Sequence, residues 1–292
     1  MRLGFCGSPS FAVPVLDALC DAGHEVGLVV TRADRRRTRG GRPQPTAVKL
    51  AAGRLGIPVT HRVAGLLDAQ LQAAVVVAYG AMVPATVLAA MPVLNLHLSL
   101  LPRWRGAAPL ERAILAGDET TGVCVMALET TLDTGPVYAR ATTELDDKTL
   151  SALRDELVAA GTGLLLGLLA CDPASWPAPE PQVGEATYAH KLTDADFELD
   201  FSRPASELHR IVRLERARTW ADGRRLVVLE ADVVEGCRHP AAELHGDVVA
   251  CGEGGLRLRR VLPEGRRAMS TEDWLRGLRD GAPSTLGPSR AP

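Results

Sequence analysis

A chain of 292 residues is longer than one hydrophobic core usually serves, so about two domains are expected. Its 46% hydrophobic and 23% charged residues exclude a disordered polymer, and a formal charge of −2 excludes a protein that coats nucleic acid by bulk electrostatics. Aromatics are only 4%, so Val, Leu and Ala must fill the cores, which favours α/β layers over an aromatic-rich β sandwich.

Residues 2–6 predict a strand, 11–20 a helix with Pro14 in its first turn, and 26–30 a second strand. Only a short apolar run follows Arg2 before Gly7 and Pro9, so no secretion signal is expected. The first βα turn, FCGSPSFAVP, sets a glycine between strand and helix, where dinucleotide-binding folds carry G-x-G-x-x-G. After Gly7 come Pro9 and Ala12 where that pattern needs glycine, so a nicotinamide reading fails and Gly7 reads as a tight turn.

Residues 31–43, TRADRRRTRGGRP, set Arg32, Arg35, Arg36, Arg37, Arg39 and Arg42 against a single acid, Asp34. Such a run is by default a solvated loop, and it is also the local basic patch that the overall charge does not rule out. Helical segments at 48–55 and 84–90 then separate strands at Val59, Val75 and Leu94, the alternation of a parallel sheet. No Asp, Glu, Lys or Arg stands between Gln70 and Pro102, the length of a membrane span. Gly80, Pro84, Pro92, Asn95 and His97 interrupt it, so the stretch reads as strand, helix and strand inside an α/β domain.

Asn95 and His97 lie two apart in the strand at 93–98 and so share a face, an amide beside an imidazole where strand meets loop. Both can donate to one oxygen, and open α/β sheets bind ligands at the C-terminal ends of their strands. Asp133, in TTLDTG after an expected strand at 123–128, can reach that imidazole and favour its charged form. Taken singly, each has a plain structural reading: a hydrogen-bonded histidine, an aspartate that shapes a turn.

A long helix is expected over 149–169. The following CDPASWPAPEPQ, residues 171–182, holds four prolines and reads as a stiff extended connector. Beyond it lie a helix at 205–214 and β-like runs at 224–234, 247–251 and 256–261, the pattern of a small barrel. The expected division is a first domain over 1–180, a linker over 181–195, a second domain over 196–282 and a disordered tail over 283–292. Six dispersed cysteines, Cys6, Cys20, Cys124, Cys171, Cys237 and Cys251, form no C-x-x-C pair and read as free thiols of a reducing compartment.

The stretch NLHLSLLPRWRGAAPLERAILAGD, followed by TGV and LDTG, resembles the catalytic signature of the methionyl-tRNA formyltransferase family. FCGSPSFAVPVLDAL, VVVAYG, TYAHKLT and PEGRRAMS stand in family order, so the likeness spans nearly the whole chain. The resemblance implies an α/β protein: a Rossmann-like, mostly parallel sheet with helices on both faces, and a C-terminal OB-fold-like β-barrel. It implies transfer of the formyl group of 10-formyltetrahydrofolate to the α-amino group of methionyl initiator tRNA, with no metal required. Asn95 and a protonated His97 would donate to the developing oxyanion and Asp133 would orient His97. Ser99, Leu100, Leu101 and Pro102 would line the folate site with 103–108 as the adjoining wall, and Tyr79 and Gly80 would form part of the pterin pocket.

For the tRNA, the resemblance assigns Arg35, Arg36, Arg37, Arg39 and Arg42 to the acceptor end, with Arg35 reading the unpaired first position. One departure is that 194–280 holds 15 arginines, no lysine and 17 acids, where the family's second domain is commonly basic. Any tRNA face there is local, around Arg213, Arg216, Arg218, Arg224 and Arg225, and LERARTW replaces the family's proline-containing turn. A cytoplasmic monomer without membrane association is expected. The rivals are a formyltransferase acting on a sugar-nucleotide amine, which would not need the arginine loop, and a non-catalytic RNA-binding module, which would not need His97.

Overall fold

In the computed structural model, which describes residues 1–36, 41–278, 281 and 283–287, the chain divides into two compact units. The first holds β1 (Arg2–Gly7), α1 (Val13–Asp21), β2 (Glu25–Val30), a hairpin of β3 (Arg35–Arg36) and β4 (Pro43–Gln44), α2 (Ala47–Arg54), β5 (Val59–Thr60) and β6 (Ala73–Val77). It continues with α3 (Ala85–Ala90), β7 (Val93–His97), β8 (Arg105–Gly106), the start of α4 (Pro109–Ala116), β9 (Thr120–Ala127), β10 (Val137–Glu144), most of α5 (Leu150–Leu169) and β11 (Tyr188–Ala189).

Seven strands form its sheet in the order β10-β9-β7-β6-β1-β2-β5, parallel from β7 to β5 and antiparallel at β9 and β10. β6 and β7 are buried at every position, the continuous apolar pattern of central parallel strands. The chain winds outward from β1 through β2 to β5 and then returns to β6 on the other side of β1. That reversal opens a crevice beyond the C-terminal ends of β1 and β6, the usual ligand position in such sheets. Glycine is needed where α5 meets the sheet, because a Cβ on Gly161 would lie 2.7 Å from the side chains of Leu96 and Val123. Thr46 starts α2 by accepting the Lys49 N–H at 3.1 Å, a cap worth about 1 kcal/mol.

The second unit contains α6 (Ala205–Val212), β12 (Ala217–Ala221), β13 (Arg224–Val234), β14 (Leu244–His245), β15 (Val248–Ala250), β16 (Gly255–Pro263), β17 (Met269–Ser270), α7 (Thr271–Arg276) and β18 (Leu286–Gly287). Its strands run antiparallel in the order β14-β15-β16-β13-β12-β18 around a core that includes Leu208, Val228, Val249 and Leu258. Residues 111–119 and 145–153 also belong to this unit, so the expected break at one proline-rich connector is interleaved rather than contiguous.

The expected disordered tail is corrected over its described part. Leu286 pairs with Ala221 of β12, its N–H donates to Ala242, Thr285 bridges Glu243, and its side chain is 1% exposed. The strands at both ends of the sheet order would otherwise leave backbone groups unpaired, and this short segment satisfies both of them and nearly closes the barrel. Residues 288–292 lie outside the described residues.

Candidate active site

Asn95 and His97 come from the end of β7, whose register against β9 pairs Asn95 with Met126 and His97 with Cys124. Both are buried, at 9% and 5% exposure. Among the described residues nothing hydrogen-bonds the Asn95 amide, so its donors are uncommitted. His97 Nε2 lies 2.9 Å from the Trp104 carbonyl; a carbonyl only accepts, so Nε2 carries the proton of that bond. Its Nδ1 stands 3.8 Å from Oδ2 of Asp133, which is 6% exposed. The same Oδ2 accepts the Gly106 N–H at 2.8 Å.

Two strained residues set these partners. Asp133 has φ +52° and Trp104 φ +63°, left-handed conformations that side-chain-bearing residues hold when their surroundings enforce them. Gly106 has φ +119°, and a Cβ there would sit 2.8 Å from the Ala189 carbonyl, so the loop can lie against β11 only with glycine. β11 runs parallel to β8, and the backbone of 105–107 donates to Thr187 and Ala189.

In the 99–102 segment Ser99 and Leu101 are buried and Leu100 and Pro102 half-buried. Ser99 is fully buried and donates to the Arg103 carbonyl at 2.7 Å, and Leu101 packs with Cys124, Met126 and Val137. Leu100 lies against Gly122, and Pro102 follows a cis peptide bond. Tyr79 sits in the core beside Cys6, and burial pushes its phenol pKa up. Its carbonyl accepts the Ser8 hydroxyl at 3.3 Å, and the carbonyl of exposed Gly80 accepts Arg32 at 2.7 Å. The loops after β1, β2 and β6 are thereby tied together at the crevice.

Arg35 and Arg36 are exposed on β3, opposite Gln44 and Pro43, and Arg42 is exposed just before β4. The ion pair of Lys49 with Asp34, at 2.8 Å, braces the hairpin base. Arg37 and Arg39 lie outside the described residues.

A cavity of about 400 Å³ lined by Met1, His24, Leu166 and Cys171 lies at the N-terminal edge of β1, the end of the sheet away from His97. Among the described residues, His239, Glu243 and His245 of the second unit have metal-ligand chemistry, with ligand atoms within 4.8 Å of one another. The two imidazoles stack at 3.5 Å and 23°, so their in-plane lone pairs run side by side instead of converging on one ion.

The formyl transferase family model matches residues 1–166, and the model of its C-terminal domain matches 191–279. The methionyl-tRNA formyltransferase of Jannaschia sp. (strain CCS1) is 42% identical over 98% of this chain and 99% of its own. The chain belongs to the methionyl-tRNA formyltransferase family. Among solved structures, the methionyl-tRNA formyltransferase from Clostridium thermocellum aligns with TM-score 0.57 at 16% identity, covering 81% of this chain and 95% of that one. The N-formyltransferase from Helicobacter canadensis, solved with folinic acid and dTDP-3-aminofucose, aligns with TM-score 0.68 at 14% identity over 88% and 99%. These two likenesses support the fold.

In this formyltransferase the expected local arginine face of the second unit is corrected in part. Arg213 is 8% exposed and donates to the Lys148 and Leu145 carbonyls, and burial lowers its pKa. Arg218 pairs with Asp194 and Glu198, and Arg216 lies over the Phe197 ring. Arg224 and Arg225 remain exposed beside a turn. One residue that sequence reasoning missed is Gln182, the last of the proline-rich run. Its amide reaches the Asp133 carbonyl at 2.9 Å and Arg105 at 2.7 Å. No helix among the described residues is long and apolar enough to cross a membrane.

Proposed function

We propose that this formyltransferase moves the formyl group of 10-formyltetrahydrofolate onto the α-amino group of methionyl initiator tRNA, with Asn95, His97 and Asp133 as its catalytic residues and Arg35, Arg36 and Arg42 among its contacts to the acceptor end. The observation that carries the reading is the group gathered at the end of β7: a buried amide and a buried imidazole on one strand face, with a carboxylate 3.8 Å from the imidazole. The family match supplies the reaction class.

The donor supplies an electrophilic carbonyl carbon, and the chain's own groups suit the charge that develops on its oxygen. The uncommitted Asn95 amide is a preorganised donor, and such a donor is typically worth about 10²–10³ in rate. Nε2 of His97 is engaged by Trp104, so Nδ1 is the imidazole atom that faces an incoming group. The gap of 3.8 Å to Asp133 exceeds a hydrogen bond and leaves the carboxylate able to take the proton that the amine loses as the new C–N bond forms. The nitrogen of the donor leaves with the electron pair of the broken C–N bond and is protonated in turn.

The 99–102 segment and the 79–80 turn follow the C-terminal ends of β7 and β6, and with the side chains of Ser99, Leu101 and Tyr79 buried they are the segments assigned to the folate. The deciding experiment incubates the protein with 10-formyltetrahydrofolate and charged initiator or elongator methionine tRNA. Formyl-methionine on the initiator species supports the reading. Formylation of an amino-sugar nucleotide, with neither tRNA modified, overturns it in favour of the sugar-directed rival.

A further inference from the structure

The connector does more than join two units. Gln182 Nε2 donates to the carbonyls of Asp133 and Gly135 at 2.9 and 2.8 Å, while its Oε1 accepts Nε and Nη2 of Arg105 at 3.0 and 2.7 Å. Carbonyls only accept and a guanidinium only donates, so the amide can sit one way round, and in it both protons and both lone pairs are used. Five residues on, Thr187 Oγ1 accepts the Trp104 N–H at 2.9 Å. Each side chain therefore grips one of the left-handed residues, Asp133 and Trp104, that face the two nitrogens of His97.

We propose that Gln182 and Thr187 are positioning residues for formyl transfer, fixing the backbone that aims the Asp133 carboxylate and the Trp104 carbonyl at His97. The inference rests on the catalytic reading of His97 and Asp133. It requires neither residue to touch a substrate. Small displacements suffice, since moving a reacting group by about 1 Å can cost about 10²-fold in rate.

The test uses the full chain and steady-state formylation of methionyl-tRNA. Gln182→Met keeps the volume and removes all four bonds; it should lower kcat 10- to 100-fold, an order-of-magnitude expectation, with KM for methionyl-tRNA unchanged. Asp133→Asn should cost more, and Gln182→Met in that background should add almost nothing, because a residue acting through Asp133 has nothing left to position. Thr187→Val should also lower kcat and Thr187→Ser, which keeps the acceptor oxygen, should restore it; this pair carries the comparison if Gln182→Met does not fold. Multiplicative losses of Gln182→Met and Asp133→Asn, or Thr187→Val with full kcat, would overturn the proposal while leaving the catalytic reading standing. Full activity of Asp133→Asn would overturn both.

Discussion

Nδ1 of His97 and Oδ2 of Asp133 stand 3.8 Å apart, and that oxygen is already held at 2.8 Å by the Gly106 N–H. The carboxylate is thus fixed without being consumed by the imidazole, which is the state a proton acceptor needs before its substrate arrives. His97→Ala is expected to lower the single-turnover rate of formyl transfer by about 10²–10³, and Asn95→Ala by a similar factor. Filter binding should show methionyl-tRNA affinity intact in both; a matching loss of affinity would instead assign these side chains to substrate binding.

The hairpin of β3 and β4 presents Arg35, Arg36 and Arg42 to solvent, while the buried or paired arginines of the second unit are engaged within the protein. Replacing the three with alanine should weaken methionyl-tRNA binding and flatten its salt dependence, by up to about one unit of log–log slope for each arginine that neutralises a phosphate. An unchanged slope would place the tRNA elsewhere.

Leu286 inserts from the chain's end into the barrel core at 1% exposure. Leu286→Ala should destabilise the second unit by about 2–4 kcal/mol, read from its thermal or urea transition. Deleting everything after residue 282 removes the backbone pairs to Ala221 and Ala242 as well and should cost more. A truncated protein that melts like the intact one would show that closure is not needed.

Burial alone would raise the Asp196 carboxyl, but hydrogen bonds from the Thr193 N–H, Arg112 and the Thr193 hydroxyl together hold it below the ordinary 3.8. A lowered folded-state value favours the charged form, so the contribution to stability is complete above the ordinary value and is lost as pH falls through the lowered one. Asp196→Asn should therefore destabilise the second unit at neutral pH and leave its stability less steep in acid. Parallel slopes for the two proteins in a denaturation series from neutral to acid pH would contradict this.

The parts of the fold that repeat with a short period were legible. Alternation in steps of two placed Asn95 and His97 on one face of β7, and the apolar runs of β1, β2 and β6 announced a parallel sheet. Gln182 was not legible, because its partners lie 49 and 77 residues away and four prolines around it speak only of local stiffness. The left-handed turn at Asp133 has a glycine two positions later, yet its non-glycine φ comes from tertiary bonds that no local pattern encodes. Residues 283–287 misled for a related reason: Gly, Pro and Ser composition signals weak propensity, but one leucine and a few backbone bonds to waiting strands are enough to order these five.

Residues 111–119 and 145–153 are grouped with the chain's last hundred residues, and Leu115 packs against the barrel core. A swap between relatives made at the proline-rich stretch would mate a barrel from one parent with supporting segments from the other, and the misfit would be mistaken for a fault in RNA choice. Chimeras intended to ask which half selects the tRNA must transplant those two internal segments together with the C-terminal portion.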